Sequence, residues 1–314
     1  MVLQLTPKLP VVSNIYYVDL INNFQMQYAI LSLLCVLLLG IWDKTLMIIL
    51  MVISALLIIV NFNNQFNFDL FVDKKSSLVN RVSQTARIVQ VTFDDDINKT
   101  FEAVYKKINT TKADVIALFN VNQLHRDAIK TLSSNRYTYG FRKKEGMPSG
   151  IVLISKYPII SKRKSSFIDS NGDILDITIS MKNNDVNLVL MHAPKPTDHI
   201  NWKRRNLMLS TLESMQNRVE SIHPYKIVMT ELYTTQWSDY FPKIDNLRTC
   251  SNSEGLYTSW YVKENLKFLQ LLGGIPTSHC FFSYRIQISD FESLPLKNIH
   301  HNLLTYVISI EGET

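Results

Sequence analysis

Lys226-Ile-Val-Met-Thr-Glu-Leu-Tyr-Thr-Thr-Gln-Trp-Ser-Asp239 is the stretch on which the reading of this chain turns. It opens with an apolar run, Ile227 to Met229, of the length that forms a buried strand. It then breaks into Thr230-Glu231 and Thr234-Thr235-Gln236 and ends on Trp237-Ser238-Asp239. A carboxylate at the mouth of a buried strand is a common place for a metal ligand in α/β enzymes, and equally an ordinary solvated strand end. The residues around it decide between the two.

Upstream and downstream, strands and helices alternate from Arg81 onwards. Arg87–Phe93 and Asp114–Phe119 read as strands, each followed by a helix-period segment, Asn98–Thr110 and Leu124–Leu132. Strand patterns then dominate, at Ser149–Ser155, Ile174–Ser180 and Val186–Met191, the last two separated by Asn183-Asn184-Asp185. Trp202–Val219 reads as a helix, and Phe281–Ile288 and Leu303–Ile310 as closing strands. The inner strands are expected at Ile88–Val91, Val115–Leu118, Ile151–Ile154, Leu188–Met191 and Ile227–Met229, in two sheets packed face to face with helices outside. No internal repeat and no Gly-rich phosphate loop is present.

The chain has 314 residues, enough for one large domain and an appendage. Met26–Val60 is almost wholly apolar, interrupted at Trp42-Asp43-Lys44. Each half approaches the ~17 residues at the short end of a membrane-spanning helix. Neither shows the polar face of a soluble helix. The expectation is a transmembrane helical hairpin over 26–60, preceded by an N-terminal interfacial segment, 1–25, and followed by a juxtamembrane linker, 61–80. Two apolar runs with a turn do not fit a secretory signal peptide. The turn carries Lys44, whereas Lys8, Lys74, Lys75 and Arg81 lie on the other side, so positive-inside counting leans to a cytoplasmic domain. Cys35, Cys250 and Cys280 have no metal or redox spacing and imply no disulfide framework. Net charge is +6, with clusters at Arg142-Lys143-Lys144 and Lys162-Arg163-Lys164 read as solvated loop charge. Attraction to nucleic acid or anionic lipid is the alternative.

From about residue 85 to the C-terminus, within an expected domain of 81–314, this order of pieces resembles the endonuclease/exonuclease/phosphatase family. Asp114-Val-Ile-Ala-Leu118 is similar to its "D-V-(I/V)-A-L-Q-E" strand, and Gly150-Ile-Val-Leu-Ile-Ser-Lys-Tyr-Pro-Ile159 to its "G-x-A-I-L-S-R-Y-P-I" hairpin. Met191-His192-Ala-Pro194 resembles the strand ending in a catalytic His, and Arg204-Arg205-Asn-Leu-Met-Leu209 the helix after it. Ile227–Ser238 falls where the family has "V-x-x-G-D-F-N-x-x-P-W-S", Thr258-Ser-Trp260 at its "T-W", Ile275–His279 at its "P-I-D-H" and Ile299-His-His301 at its "S-D-H". Asp19–Val60 also resembles the anchor of a membrane-bound bacterial subgroup. The resemblance implies a DNase I-like four-layer α/β sandwich preceded by a two-helix transmembrane hairpin, in a bacterial inner membrane.

The resemblance also implies a site. Family members hydrolyse phosphoesters with a divalent metal, usually Mg²⁺, which demands hard oxygen ligands. His192, His279 and His301 match catalytic positions, and Glu231 matches the Asp of "G-D-F-N". The other positions are substituted: Thr92 for the first-strand Asn, Asn120 for the Glu of "Q-E", Tyr233 for the Asn of "G-D-F-N", Ser278 for the Asp of "I-D-H" and His300 for the Asp of "S-D-H". With so few carboxylates no cofactor is expected. The chain then reads as a membrane-anchored pseudoenzyme, a binding or scaffold subunit with a protein partner in a membrane complex. Two alternatives stand beside it. One is a divergent phosphoesterase with a rebuilt Zn²⁺ or Mn²⁺ site on Glu231, His300 and the other histidines, with Asp94-Asp95-Asp96 nearby. The other is a nucleic-acid or anionic-lipid binder.

Overall fold

The computed structural model describes residues 15–39, 41–63, 84–93, 101–122, 125–140, 150–167, 172–182, 184–218, 223–250, 257–261, 274–296 and 299–310. The expectations placed on Asp94-Asp95-Asp96 and Arg142-Lys143-Lys144, and on most of the 61–80 linker, lie outside these residues.

The chain falls into two compact units. The larger contains two six-stranded sheets. The first is built from β1 (Gln84–Thr92), β2 (Val115–Phe119), β3 (Tyr137–Tyr139), β4 (Ile151–Ser155), β13 (Ile286–Leu294) and β14 (Leu303–Ile310), in the order β13-β14-β1-β2-β4-β3. The second holds β5 (Ile159–Phe167), β6 (Gly172–Met181), β7 (Asn184–His192), β8 (Lys226–Glu231), β9 (Leu247–Thr249) and β12 (Ser278–Ser283), in the order β5-β6-β7-β8-β12-β9. A two-residue pair, β10 (Trp260–Tyr261) with β11 (Gly274–Ile275), stands apart from both.

The layers follow from which side chains each strand turns inward. Ile88, Ala117 and Leu153 of the first sheet and Ile177, Leu188, Ile227 and Met229 of the second share one buried cluster, the core between the sheets. The opposite face of the first sheet, with Val89, Val91, Ile116 and Leu118, is covered by α4 (Phe101–Thr111), through Val104 and Ile108, and α5 (Arg126–Leu132), through Ile129 and Leu132. α6 (His199–Gln216) covers the second sheet. Its Gln216 Oε1 accepts from Lys226 Nζ at 3.0 Å, and Met208 Sδ fills the space above Gly172. A strand buried on both faces has no polar side to alternate with, which is why the five expected inner strands were apolar runs. All five lie in interior strands of the two sheets.

Gly140 shows how closely the core is packed. Its φ is +84°, and a Cβ built there would stand 2.3 Å from the Ile151 carbonyl oxygen. Gly140→Ala combines a left-handed backbone with a backbone clash, so chemical unfolding of the full chain in detergent should report a loss of about 2–3 kcal/mol.

Three sequence expectations are corrected here. Lys162-Arg163-Lys164 is not loop but part of the edge strand β5, where Arg163 pairs with Asp176 at 3.1 Å and Lys164 with Asp173 at 3.0 Å. Charge on an edge strand is compatible with pairing on one side and discourages pairing on the other. Phe281–Ile288 is not one strand; a turn at Tyr284-Arg285 divides it into the ends of β12 and β13. Cys250 and Cys280, read as carrying no pairing, stand opposite one another in the core of this unit with Cα atoms 5.4 Å apart. Thirty residues separate them in sequence, so their meeting depends on the sheet pairing and not on local spacing.

The smaller unit holds α1 (Tyr16–Asn22), α2 (Gln25–Leu39) and α3 (Lys44–Asn63), together with Thr234–Phe241, the segment that follows β8 in the chain. Asp43 caps α3, its Oδ1 accepting from the Thr45 and Leu46 amides at 2.9 and 3.0 Å. In this unit the polar residues of the N-terminal segment turn inward. Asp19 accepts from Ser238 Oγ at 2.5 Å, and Asn23 Oδ1 accepts from the Thr235 amide at 2.7 Å and Thr234 Oγ1 at 3.2 Å. The apolar residues of α2 and α3 point outward, with Leu31, Leu38, Ile48 and Val52 more than half exposed. No single described helix is long and apolar enough to cross a membrane. Tyr16–Asn22 with Gln27–Leu39, bent by 72°, meets the length and composition together.

Candidate functional site

β7 and β8 run parallel, in register His192↔Glu231, and β12 runs antiparallel to β8 with Ser278↔Glu231. These registers bring His192, Glu231, Ser278 and His279 to one end of the second sheet. The first sheet contributes Thr92 at the end of β1 and His301 just ahead of β14. His301 is fixed by an antiparallel bridge to Trp260, and the Asn302 amide donates to the Ser259 carbonyl at 2.8 Å.

Glu231 is at the centre and is fully buried. Its Oε2 accepts from Thr92 Oγ1 at 2.9 Å and Ser278 Oγ at 2.5 Å, and stands 3.4 Å from His301 Nδ1. Its Oε1 accepts from the Tyr233 amide at 3.3 Å. Burial alone would push this carboxyl up. The charge of His301 and hydrogen bonds from His301, Ser278 and Thr277 overcome that and hold it at about 2, against 4.5 for an ordinary glutamate.

Tyr233 occupies the mouth. Its φ is 50°, in the left-handed region that a bulky side chain rarely adopts. Its hydroxyl lies 3.2 Å from His192 Nε2, and its ring meets His192 and His301 edge-on, with centroids 5.7 and 6.0 Å apart. From below, the fully buried Arg205 donates through Nη1 to the Tyr233 carbonyl at 3.0 Å, while its Nε and Nη2 bond Asn206 Oδ1 at 3.0 and 2.7 Å.

The other matched residues are turned elsewhere. Asn120, also left-handed at φ 56°, gives its Nδ2 to the Phe93 carbonyl at 2.8 Å. His300 Nδ1 lies 3.0 Å from the Tyr261 carbonyl oxygen. His279 is buried, its Nδ1 3.5 Å from the Tyr257 hydroxyl. The structure thus gathers Thr92, His192, Glu231, Tyr233, Ser278 and His301 and directs the amide of Asn120 and Nδ1 of His300 to backbone carbonyls.

Three contributors were missed by sequence reasoning. Tyr257 donates to the Ser278 carbonyl at 2.8 Å; burial, with the Glu231 charge adding, pushes its hydroxyl up and keeps it a neutral donor. Ser259 Oγ accepts from the Thr277 and Ser278 amides at 2.7 and 2.8 Å and so sets the Ser278 hydroxyl beside Glu231. Arg205 was within a matched motif, but nothing in the sequence told it from Arg204. A cavity of about 160 Å³ lies elsewhere, at the opposite end of β8, lined by Lys226, His223, Asn246 and Arg285.

No family model matches the sequence, and no curated protein matches it either. Solved structures do match. Truncated TDP2 from Caenorhabditis elegans superimposes with a TM-score of 0.54 at 10% identity, over 71% of this chain and 97% of that one. An endonuclease/exonuclease/phosphatase family protein from Bacteroides thetaiotaomicron gives 0.55 at 9% identity, over 73% and 99%. The chain has the endonuclease/exonuclease/phosphatase fold, DNase I-like. The human Nocturnin catalytic domain, at 0.53 and 12% identity over 73% and 97%, shares that fold. Identities this low carry the architecture and leave the chemistry to the residues present.

Those residues do not fit the divalent cation that the fold implies. Mg²⁺ would need open oxygen ligands. Glu231, the carboxylate at the centre of the described residues, is already bonded by two hydroxyls and an amide and lies 3.4 Å from the His301 imidazole. Among the described residues no three His, Cys, Asp or Glu side chains group as a metal site.

Proposed function

We propose that this chain is a membrane-anchored protein of the endonuclease/exonuclease/phosphatase fold that performs no metal-dependent phosphoester hydrolysis and works as a binding or scaffold subunit. The observation that carries this reading is the shell of Glu231. Thr92 and Ser278 stand where the family has an Asn and an Asp, and each spends its hydroxyl on the carboxylate. Each donor occupies a lone pair that a metal would need. Tyr233 adds a ring across the mouth, hydrogen-bonded to the imidazole of His192. A general base needs a polarised phosphate to direct water against, and a Glu231 carboxylate already taken by two hydroxyls and an amide is not free to hold the ion that would polarise it. Membrane anchoring is supported by the outward apolar faces of α2 and α3, an exposed patch of the kind that marks a lipid or protein contact.

The test is hydrolysis by the purified full chain in detergent. Single- and double-stranded nucleic acid, phosphoinositide, sphingomyelin and nitrophenyl phosphates are supplied in turn with Mg²⁺, Mn²⁺ or Zn²⁺. The expected result is no turnover above the buffer control. Turnover abolished by both His301→Ala and Glu231→Gln would overturn the reading. Turnover confined to Mn²⁺ or Zn²⁺ with the same loss would establish a rebuilt metal site instead.

A further inference from the structure

The two cysteines of the larger unit meet in its core. β9 is a three-residue edge strand bonded to β12 with Phe281↔Thr249. Cys250 follows Thr249 and Cys280 precedes Phe281, so the antiparallel register sets the two cysteines opposite one another. Their Cα atoms are 5.4 Å apart, within the span of a disulfide, and both side chains are fully buried. The chain has three cysteines. Cys35 is exposed on α2, and the remaining two are opposed cross-strand neighbours. Two small apolar residues placed in such a core without selection for pairing would rarely fall on opposed positions.

The position also needs a fastening. β9 is half-buried, and among the described residues β12 is its one strand partner. Cys280 lies beside His279 and Ser278 and opposite Met229, two residues before Glu231. A covalent link there ties the edge of the second sheet to the strand that supplies the Ser278 hydroxyl.

We propose that Cys250 and Cys280 form a structural disulfide in the mature chain, and that the domain therefore folds and resides in an oxidising compartment outside the cytoplasm. The two thiols lose two protons and two electrons to the disulfide of a protein thiol oxidant. That disulfide is reduced to a dithiol by exchange through a mixed-disulfide intermediate as the Cys250–Cys280 bond forms. Once the sheet closes, the bond is beyond the reach of small thiols. This placement opposes the lean to a cytoplasmic domain, which rested on four basic residues against Lys44 alone. It is independent of whether the Glu231 site is catalytic.

Native membranes are quenched in acid and the full chain is denatured and alkylated with N-ethylmaleimide before intact-mass measurement. The expected mass carries one adduct, on Cys35, before reduction and three after it. Three adducts before reduction overturn the disulfide. An epitope fused to the C-terminus should stain on unpermeabilised spheroplasts, and staining only after permeabilisation overturns the compartment. Cys280→Ser in the full chain should melt about 10 °C below the oxidised wild type. Equal melting temperatures would overturn the structural role.

Discussion

Replacing Glu231 with alanine is expected to lower the unfolding free energy of the full chain by about 3–5 kcal/mol, because it strands the donors that this buried carboxylate accepts from. The substitution leaves Thr92 Oγ1, Ser278 Oγ and the Tyr233 amide facing a void without their acceptor, beside His301. Each orphaned donor costs about 1–3 kcal/mol in a dry interior. Guanidinium unfolding in detergent, followed by tryptophan fluorescence, measures the loss. A change below about 1 kcal/mol would mean that the carboxylate is not the anchor of this cluster. The pH dependence has a fixed sign. The folded carboxyl is depressed from 4.5 to about 2, so its stabilisation is fully present above pH 4.5 and is lost as pH falls towards 2. The shift corresponds to about 3 kcal/mol. Glu231→Gln should flatten that window relative to wild type while leaving the response of the surface carboxylates in place. Parallel acid curves for the two proteins would sink the claim.

The sequence was most legible where burial is two-sided. Interior strands are continuous apolar runs because both faces are covered, so Val115–Leu118 and Ile151–Ile154 declared themselves without a turn signal. Elements at the margins did not. β5 carries Lys162, Arg163 and Lys164 because an edge strand tolerates charge, and the same charge made it read as loop. The Tyr284-Arg285 turn lacks the Gly, Pro, Asn or Asp that usually announces one. Residues 1–25 read as an interfacial segment, yet Asp19 and Asn23 bond the Thr234–Ser238 segment more than 200 positions away in sequence, a distance at which pattern reading has no purchase. The meeting of Cys250 with Cys280 was invisible for the same reason.

Positions in the site were legible and their orientations were not. Matching motifs placed Thr92, Ser278, His301 and Tyr233 near Glu231. No residue type, however, says that a hydroxyl will turn to the carboxylate while the Asn120 amide turns to the Phe93 carbonyl. That choice depends on backbone set elsewhere, in the left-handed φ of Asn120 and in the two amides bonded by Ser259. A matched motif therefore reports which residues meet sooner than it reports how their side chains turn.

Arg205→Ala is expected to cost about 2–6 kcal/mol, because it strands two acceptors of a fully buried guanidinium, Asn206 Oδ1 and the carbonyl of the left-handed Tyr233, at about 1–3 kcal/mol each. For a residue with a Cβ that conformation costs about 1–2 kcal/mol. It persists because the Arg205 guanidinium bonds the Tyr233 carbonyl while Glu231 accepts the Tyr233 amide. Removing the guanidinium strands the Tyr233 carbonyl and Asn206 Oδ1 and opens a cavity under the site. Arg205→Lys should recover little of the loss. A single ammonium cannot reproduce the planar fork that reaches the carbonyl through Nη1 and Asn206 through Nε and Nη2 together. Tyr233→Phe should cost no more than about 1 kcal/mol, since it deletes one part-buried hydrogen bond to His192 and leaves the backbone pair intact. Equilibrium unfolding of the three variants ranks them. If Arg205→Lys matched wild type, or Tyr233→Phe cost as much as Arg205→Ala, the ring and not the backbone clamp would be what orders the mouth of the site.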